Sequence, residues 1–235
     1  MMTPDAGGTH AFERLTLGSA GIPVSTLWTP ADRPIAVAAI AHGAGAGMQH
    51  PFMTGLADGF AAGGISVLRF NFPYMDARRR MPDRPPALLA TWDAIVPEVL
   101  RRAGGLPVVI GGKSLGGRIA SMLAAAQGRD CPAAALVFFG YPLHAPGKMD
   151  RLRDAHLAQV RVPMVFLQGG NDALARLDLI EAVVARLHPL ARLHVVPGGD
   201  HAFHRRGARG SDQGTARELA QIATGYLRDL ITATS

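Results

Sequence analysis

The sequence predicts an α/β fold built on an eight-stranded, mostly parallel sheet with helices on both faces. Two observations predict this class. From residue 35 onward, short apolar runs alternate with longer runs of helical periodicity, as they do where strands and helices interleave. Several of the apolar runs are continuous, which is typical of parallel strands buried on both faces. A chain of 235 residues in this class is expected to form one domain over residues 1–235.

The strands are predicted from apolar or alternating runs bounded by turn residues. The first two flank Ser19-Ala20-Gly21 and predict an antiparallel hairpin at one end of the sheet. The predicted strands span residues 12–18, 22–28, 35–41, 65–70, 107–111, 133–139, 162–167 and 192–196.

The helices are predicted from apolar residues at helical spacing. Pro97 falls inside one of them and should kink or split it, since proline removes a backbone hydrogen bond. A polar, proline-rich loop is expected at residues 73–86. The predicted helices span residues 51–62, 88–103, 118–127, 177–187 and 216–231, with a short helix or helical turn at 148–160.

Charge and hydropathy indicate which classes of partner are not expected for the chain. The net charge of +6 comes mostly from scattered arginines, without a basic helix carrying interleaved aromatics, so we expect a solvated surface and no nucleic-acid partner. No apolar run approaches the ~18 residues of a membrane span, so no membrane partner is expected. Residues 1–9 lack a basic region followed by an apolar stretch, which predicts no signal peptide and a soluble, cytoplasmic protein.

Cysteine usage limits the chemistry further. Cys131 is the single cysteine, so neither an intrachain disulfide nor a cysteine-based zinc site is expected. It precedes Pro132 in a predicted connection, which argues against a nucleophilic role.

A glycine-flanked serine joins a predicted strand to a predicted helix. Gly112, Ser114 and Gly116 form the G-x-S-x-G pattern, in which a serine on a sharp, strained turn is exposed above the sheet. A phosphate-binding loop would need glycine at the position of Pro107, which lacks an N–H group. The pattern thus predicts a nucleophile, and a plain glycine-rich turn is the alternative.

A nucleophilic serine needs a base and an acid that orients the base. His201 follows the last predicted strand and is the favoured base, ahead of His204. Asp172 follows the strand at 162–167 and is the favoured acid, although it could instead cap the next helix. Asp178 is a weaker candidate because it falls inside a helical run. The order Ser, Asp, His is that of α/β-hydrolases.

The developing negative charge of the reaction needs hydrogen-bond donors, the oxyanion hole. One predicted donor is the N–H of Leu115, directly after the serine. The second is expected in the glycine-rich loop after the strand at 35–41, from Ala44 with Gly43 as the alternative. We interpret His42 as a structural residue that braces this loop and not as a metal ligand.

Four short strings carry a resemblance to known proteins. They are His42-Gly43-Ala44-Gly45, Arg69-Phe70-Asn71-Phe72-Pro73-Tyr74, Gly111-Gly112-Lys113-Ser114-Leu115-Gly116-Gly117-Arg118 and Gly140-Tyr141-Pro142-Leu143-His144-Ala145-Pro146-Gly147-Lys148. With them the chain resembles the α/β-hydrolase superfamily over essentially its full length, and within it a small, lidless α/β-hydrolase-like group related to the dienelactone-hydrolase branch.

The resemblance implies the α/β-hydrolase fold and a Ser-Asp-His triad, and it implies little about substrate. The group includes a subunit of a histone acetyltransferase complex, so some relatives serve as interaction modules. One departure concerns the acid. In the group the aspartate is usually followed by proline or a bulky residue, whereas Asp172 is followed by Ala173. The pocket wall beside the acid is therefore expected to differ.

The expected function is that of a serine hydrolase that cleaves an ester or thioester of a small acyl group. The stretch between the strands at 133–139 and 162–167 is too short for a cap domain, which predicts a small or exposed substrate. No cofactor is needed, and the expected partner is a small-molecule substrate. The alternatives are a non-catalytic interaction module and a peptidase or acyltransferase with the same triad. Candidate pocket residues are Met48, Tyr74, Tyr141, His144 and Phe203.

The sequence leaves the roles of two basic features undecided. Arginines 78–80 follow the strand at 65–70 and could attract an acidic substrate, although a solvated loop is the favoured interpretation. Lys113 precedes the serine and could point to solvent or meet a charge on the substrate.

Overall fold

The computed structural model describes residues 10–18, 21–207 and 210–232. Eight strands of this part of the chain form one sheet. The predicted hairpin turn at residues 19 and 20, and the N-terminal residues 1–9, lie outside the described residues. The strands are β1 (Ala11–Leu17), β2 (Ile22–Thr29), β3 (Ala36–Ala41), β4 (Ile65–Phe70), β5 (Val108–Lys113), β6 (Ala135–Phe139), β7 (Met164–Gly169) and β8 (Ala191–Val196).

The sheet is mostly parallel. Its strand order is β1-β2-β4-β3-β5-β6-β7-β8, in which β1 and β2 pair antiparallel and β2 also pairs antiparallel with β4. Every other neighbouring pair is parallel. The carboxyl ends of β3 to β8 therefore meet at one edge, which is where α/β proteins gather their functional groups.

Helices cover both faces of the sheet. Helices α1 and α6 bury their apolar sides against one face, and α3, α4 and α5 against the other. No helix of the described ranges is long and apolar enough to cross a membrane. The helices are α1 (Pro51–Ala62), α2 (Pro73–Asp76), α3 (Pro85–Ala103), α4 (Leu115–Gln127), α5 (Leu177–Arg186) and α6 (Asp212–Thr232).

The predicted break at Pro97 does not occur. Helix α3 runs without interruption from Pro85 to Ala103. Pro97 can donate no hydrogen bond to the carbonyl of Asp93, but both residues are exposed, so water can solvate that carbonyl. The buried side of α3, with Trp92 at its centre, packs on the sheet and holds the helix together across the proline.

Several other boundaries differ from the sequence-based expectation, by two or three residues in β6, in β7 and at the start of α4. The loop expected at 73–86 contains the short helix α2 and the first turn of α3. The helical region expected at 148–160 is reduced to a 3-10 helix over Ala155–Gln159. Strand β5 extends two residues beyond the predicted end, to Lys113, so that Ser114 directly follows the strand.

The active-site edge of the sheet carries no cap domain. Residues 140–163, between β6 and β7, are all described and contain only that 3-10 helix. This is the connection that the sequence predicts to be too short for a lid.

Helices α1 and α6 approach each other closely because two glycines of α1 face α6. A Cβ atom on Gly55 would lie 2.1 Å from the carbonyl oxygen of Gln213, and one on Gly59 would lie 2.5 Å from that of Arg217. Side chains at these two positions would push α6 away from the sheet.

We expect Gly59→Ala to lower the free energy of unfolding by about 1–3 kcal/mol, because the added methyl group overpacks the contact with α6. The matched control is Gly225→Ala on α6, where a Cβ atom meets nothing within 4 Å. That variant should gain about 0.5–1 kcal/mol from helix propensity alone. Urea unfolding of both variants measures the difference. Equal stability of the two variants would contradict the close packing of α1 on α6.

Candidate active site

Ser114 stands on a strained turn between β5 and α4. Its φ of 48° and ψ of −112° belong to a region that residues with a side chain rarely occupy. Strand β3 passes so close to this turn that the positions two residues before and after the serine have no room for a side chain. A Cβ atom on Gly112 would lie 2.2 Å, and one on Gly116 2.5 Å, from the carbonyl oxygen of Ala41. Glycine at both positions lets the strand and the helix converge on the serine.

Three side chains that the sequence selects form one hydrogen-bonded chain. The Oγ atom of Ser114 lies 2.9 Å from Nε2 of His201, and Nδ1 of His201 lies 2.7 Å from Oδ2 of Asp172. When Nδ1–H donates to the carboxylate, Nε2 is the ring atom that can accept the serine proton. The three residues come from the loops after β5, β7 and β8.

The carboxylate of Asp172 is buried, and both of its oxygen atoms accept hydrogen bonds. Its Oδ1 atom accepts a 2.7 Å hydrogen bond from the N–H of Leu174, and its Oδ2 atom accepts one from the side-chain amide of Gln168. Asp172 is only 4% exposed, so these donors, together with His201, replace water around the charge. The alternative that Asp172 caps the next helix is wrong, because α5 begins at Leu177 with Arg176 at its N-cap position. The bond from the N–H of Leu174 closes a turn ahead of that helix.

The rejected candidates lie elsewhere. Asp178 forms a surface ion pair with Arg176, with 2.6 Å between Oδ1 and Nε. His204 pairs with Asp212, with 2.6 Å between Nε2 and Oδ1, and this hydrogen bond raises the pKa of His204. Neither side chain bonds to the Ser114–His201 pair.

Backbone N–H groups are available beside the serine. The N–H groups of Leu115 and Ala44 make no hydrogen bond to any other described residue. Leu115 begins α4, whose first N–H groups carry the positive end of the helix dipole. Ala44 lines the same pocket as Ser114. Both N–H groups are therefore available as hydrogen-bond donors, and their assignment to an oxyanion hole stays a prediction.

The loop that carries Ala44 is fixed from behind by His42 and Tyr74. Nδ1 of His42 lies 2.7 Å from the carbonyl oxygen of Gly43, and its Nε2 atom accepts a 3.1 Å hydrogen bond from the N–H of Phe72. Tyr74 donates from its hydroxyl to the carbonyl oxygen of Ala44 at 3.1 Å. Burial lowers the pKa of His42 to about 4, so the ring is neutral and braces the loop.

A pocket of about 330 Å³ opens above Ser114. Ser114 and His201 line it, together with the polar residues His50, Lys113 and Asp212. The Nζ atom of Lys113 donates to the carbonyl oxygen of His201 at 2.6 Å and does not extend into solvent. The remaining wall is made of glycine and apolar side chains. The apolar lining residues are Ala44, Ala46, Phe52, Met53, Leu174 and Ala202.

None of the five pocket residues selected from the sequence lines this pocket. Each is at most 2% exposed. The structure therefore does not support them as substrate contacts. They are Met48, Tyr74, Tyr141, His144 and Phe203.

These five side chains form the layer behind the site, where they bond to backbone or pack on other rings. Tyr141 donates to the carbonyl oxygen of Arg153 at 2.8 Å. His144 accepts from the N–H of Arg176 at 3.0 Å. Phe203 stacks on Phe52 at 5.9 Å, so Phe52 faces the pocket and Phe203 supports it. Met48 and Tyr74 likewise point into the core, where Tyr74 holds the Ala44 loop.

Sequence reasoning missed the residues that do form the wall. Phe52 and Met53 begin α1, directly after the Ala44 loop, and their helical spacing assigns them to the core. Leu174 follows Asp172, which places it at the pocket on chain position alone. The arginines at 78–80 do not line the pocket and are exposed, in agreement with a solvated loop.

The described part of the chain holds no group of three histidine, cysteine or carboxylate side chains arranged to bind a metal ion. The polar groups of the pocket include the hydroxyl of Ser114 and the imidazole of His201, a pair that can perform acyl transfer.

Comparison with known proteins gives the same fold. A family model described as an alpha/beta hydrolase domain matches residues 34–228. A lidless α/β serine hydrolase from Xanthomonas campestris, XC6422, is 20% identical, with a TM-score of 0.72 over 96% of this chain and 98% of that chain. A dienelactone hydrolase from Anabaena variabilis is 19% identical, with a TM-score of 0.70 over 94% and 98%.

A third solved structure is Est1E from Butyrivibrio proteoclasticus, which is 14% identical with a TM-score of 0.68 over 96% of this chain and 100% of that chain. At these identities the solved structures show the fold alone. Together with the family match, they confirm the predicted α/β-hydrolase fold without a cap domain and the predicted resemblance.

We expect Ser114→Gly to be more stable than Ser114→Ala by about 1 kcal/mol, although glycine usually destabilises a folded chain. Both variants lack the hydroxyl, so the difference reports the strain of a side chain at φ 48°. Chemical denaturation of the two variants measures it. An alanine variant as stable as the glycine variant would show that the turn carries no strain.

Acid should destabilise the protein through His42. Its pKa is lowered from 6.5 to about 4, so between these values the unfolded chain binds a proton that the folded protein does not. The free energy of unfolding should therefore fall as the pH drops through this window, by up to about 1.4 kcal/mol per pH unit for this group.

The variant His42→Gln should show a shallower fall. Denaturant unfolding at pH 7, 6 and 5 measures both slopes. His156, whose pKa burial also lowers to about 4, is present in both proteins and cancels in the comparison. Equal slopes would contradict a neutral His42.

Proposed function

Because the chain belongs to the alpha/beta hydrolase domain family, we propose that it is a serine hydrolase that cleaves an ester or thioester of a small acyl group. The observation that carries the proposal is the hydrogen-bonded chain from Asp172 through His201 to Ser114, at the base of an apolar pocket.

In the proposed first step, Ser114 Oγ attacks the acyl carbon while its proton passes to Nε2 of His201. The 2.9 Å separation of these two atoms suits direct transfer. Asp172 keeps Nδ1 protonated and stabilises the imidazolium that forms. The N–H groups of Leu115 and Ala44 bind the oxyanion of the tetrahedral intermediate.

Collapse of that intermediate breaks the bond to the leaving group, which takes the proton from His201 and departs as an alcohol or thiol. The acyl group remains on Ser114. In the second half, His201 takes a proton from water as the water attacks the acyl carbon. The carboxylic acid leaves, and Ser114 regains its proton. The free enzyme is restored without a cofactor.

The pocket favours an uncharged acyl group of modest size. At about 30 Å³ per water-sized group, about 330 Å³ holds about ten non-hydrogen atoms. A second charge on the acyl chain would compete with contacts that the polar lining residues already make. His50 lies 3.9 Å from Asp212, and the ammonium of Lys113 is bonded to the backbone of His201. An apolar acyl chain gains from burial against Phe52, Met53 and Leu174.

A fluorophosphonate probe tests the proposal. We expect the probe to label the wild-type protein at Ser114 and to leave Ser114→Ala unlabelled. The control variant is Ser121→Ala. Ser121 Oγ also lies close to a histidine nitrogen, 2.8 Å from His156 Nε2, but the serine is fully buried and lacks a strained turn. Its loss should leave labelling unchanged.

A series of p-nitrophenyl esters from acetyl to dodecanoyl then tests acyl size, with the highest kcat/KM expected for the short chains. A folded wild-type protein that is neither labelled nor active on any ester would refute the hydrolase. It would favour a non-catalytic interaction module. Labelling without ester turnover would favour a peptidase or an acyltransferase with the same triad.

A further inference from the structure

Lys113 is a partly buried cation that the proposed reaction does not use. It is the last residue of β5 and precedes Ser114, so its side chain starts at the nucleophile turn. Its Nζ atom donates a 2.6 Å hydrogen bond to the backbone carbonyl oxygen of His201. One side chain thus links the turn at Ser114 to the loop after β8 that carries His201, here called the histidine loop. The two linked residues are 88 positions apart in the sequence.

The ammonium lies between two aromatic rings and a glycine, which together form its socket. It stands 5.8 Å from the ring centre of Phe52 and 5.4 Å from that of Phe203, both at cation–π distance. Gly140 closes the third side. A Cβ atom there would lie 2.9 Å from Nζ and 3.1 Å from the carbonyl oxygen of His201, so any larger residue would crowd both.

The histidine loop, residues 197–204, is held elsewhere by bonds to the β7 loop and by bonds within itself, including two N–H groups that donate to the carboxylate of Asp200. Its first part is held to the β7 loop by the hydrogen bond from the N–H of Asn171 to the carbonyl of Gly199, at 2.8 Å. Its last part closes on itself through the N–H of Phe203 and the carbonyl of Asp200, at 2.9 Å. Among the described residues, only Lys113 bonds to the backbone of His201 itself.

We propose that Lys113 is a positioning residue whose ammonium holds the backbone of His201 so that Nε2 faces Ser114. The inference rests on the proposed function, because it takes Ser114 and His201 as the reacting pair. A hydrogen bond from a charged donor is stronger and shorter than a neutral one, which suits the 2.6 Å contact. A displacement of the imidazole by even 1 Å would slow proton transfer strongly.

The bond from the Lys113 ammonium to the backbone of His201, here called the tether, requires a protonated lysine. The charges around the ammonium agree with this protonation state at neutral pH. Burial lowers the pKa of Lys113 to about 8, and the carboxylates of Asp172 and Asp200 oppose this shift. The carboxylates of Asp172 and Asp200 act on the ammonium, and the titratable side chains that line the same pocket are His50, His201 and Asp212. Helix α1 and the end of the histidine loop present the rings of Phe52 and Phe203. The charge is present below about pH 8 and is lost above it.

The test compares Lys113→Met and Lys113→Gln with Lys148→Met. Lys148 is exposed and is the only other lysine of the chain, so it gives the same chemical change away from the site. Methionine keeps the packing of the stem between the rings and removes the donor. Glutamine keeps an N–H donor, which provides a second, polar variant should methionine fail to fold.

We expect Lys113→Met to lower kcat for p-nitrophenyl acetate and the rate of fluorophosphonate labelling by about 10- to 100-fold, the range for loss of a charged hydrogen bond. KM should stay within about twofold of the control, because the ammonium is bonded to the backbone of His201 and loss of that bond acts on proton transfer. Lys113→Gln should retain more activity than Lys113→Met. A raised KM with unchanged kcat would show that Lys113 binds substrate, and it would overturn the inference.

The pH profile separates positioning from general packing. In the wild-type protein and in Lys148→Met, kcat should decline a few-fold as the pH rises above about 8, because a neutral amine donates a weaker hydrogen bond. Lys113→Met should lack this decline. A variant that had only lost packing would keep the wild-type profile at a lower level, and that result would count against the tether.

Amide hydrogen exchange gives a reading that does not need catalysis. The amides of residues 199–204 should exchange about tenfold faster in Lys113→Met than in Lys148→Met, with the helices unchanged. An unlabelled wild-type protein would refute the proposed function, and the exchange rates would still decide the tether. Normal labelling of the wild type, together with labelling of Lys113→Met at the rate of the control, would refute the tether alone.

Discussion

The close approach of three strands and one helix around Ser114 is the constraint on which the rest of the site depends. A Cβ atom on Gly111 would lie 1.9 Å from the carbonyl oxygen of Val137 on β6, and those on Gly112 and Gly116 would meet Ala41 on β3. Glycine at these positions lets β5 run between its neighbours and lets α4 begin at once. The serine then takes a backbone conformation that costs about 1–3 kcal/mol, which the packed sheet around it supports.

The parallel sheet places the strained serine next to the other parts of the site. Its carboxyl edge brings the loops after β3, β5, β7 and β8 together, and each contributes one part: the Ala44 loop, Ser114, Asp172 and His201. Each part is held by the layer behind it. Gln168 and Leu174 donate to the carboxylate of Asp172, the neutral ring of His42 braces the Ala44 loop, and Lys113 donates to the backbone of His201.

The mostly parallel sheet and the meeting of Ser114, Asp172 and His201 at its edge could be predicted because they depend on backbone rules. Continuous apolar runs predict buried parallel strands, and loops after such strands must meet at one edge. The pocket wall could not be predicted, since it depends on the direction of single side chains. His201 and Phe203 are two residues apart, yet one faces the pocket and the other the core. Pro97 misled for a similar reason, since its exposure on α3 is a tertiary property.

Rapid-quench intact mass spectrometry during turnover of p-nitrophenyl acetate tests the central claim most directly, since the claim is that an acyl group is carried on one serine. Within the first turnover the account predicts one acetyl group per chain, mapped by peptide analysis to Ser114 and absent from Ser114→Ala. Turnover without an adduct, or with the acetyl group on Lys113, His201 or another residue, would contradict it.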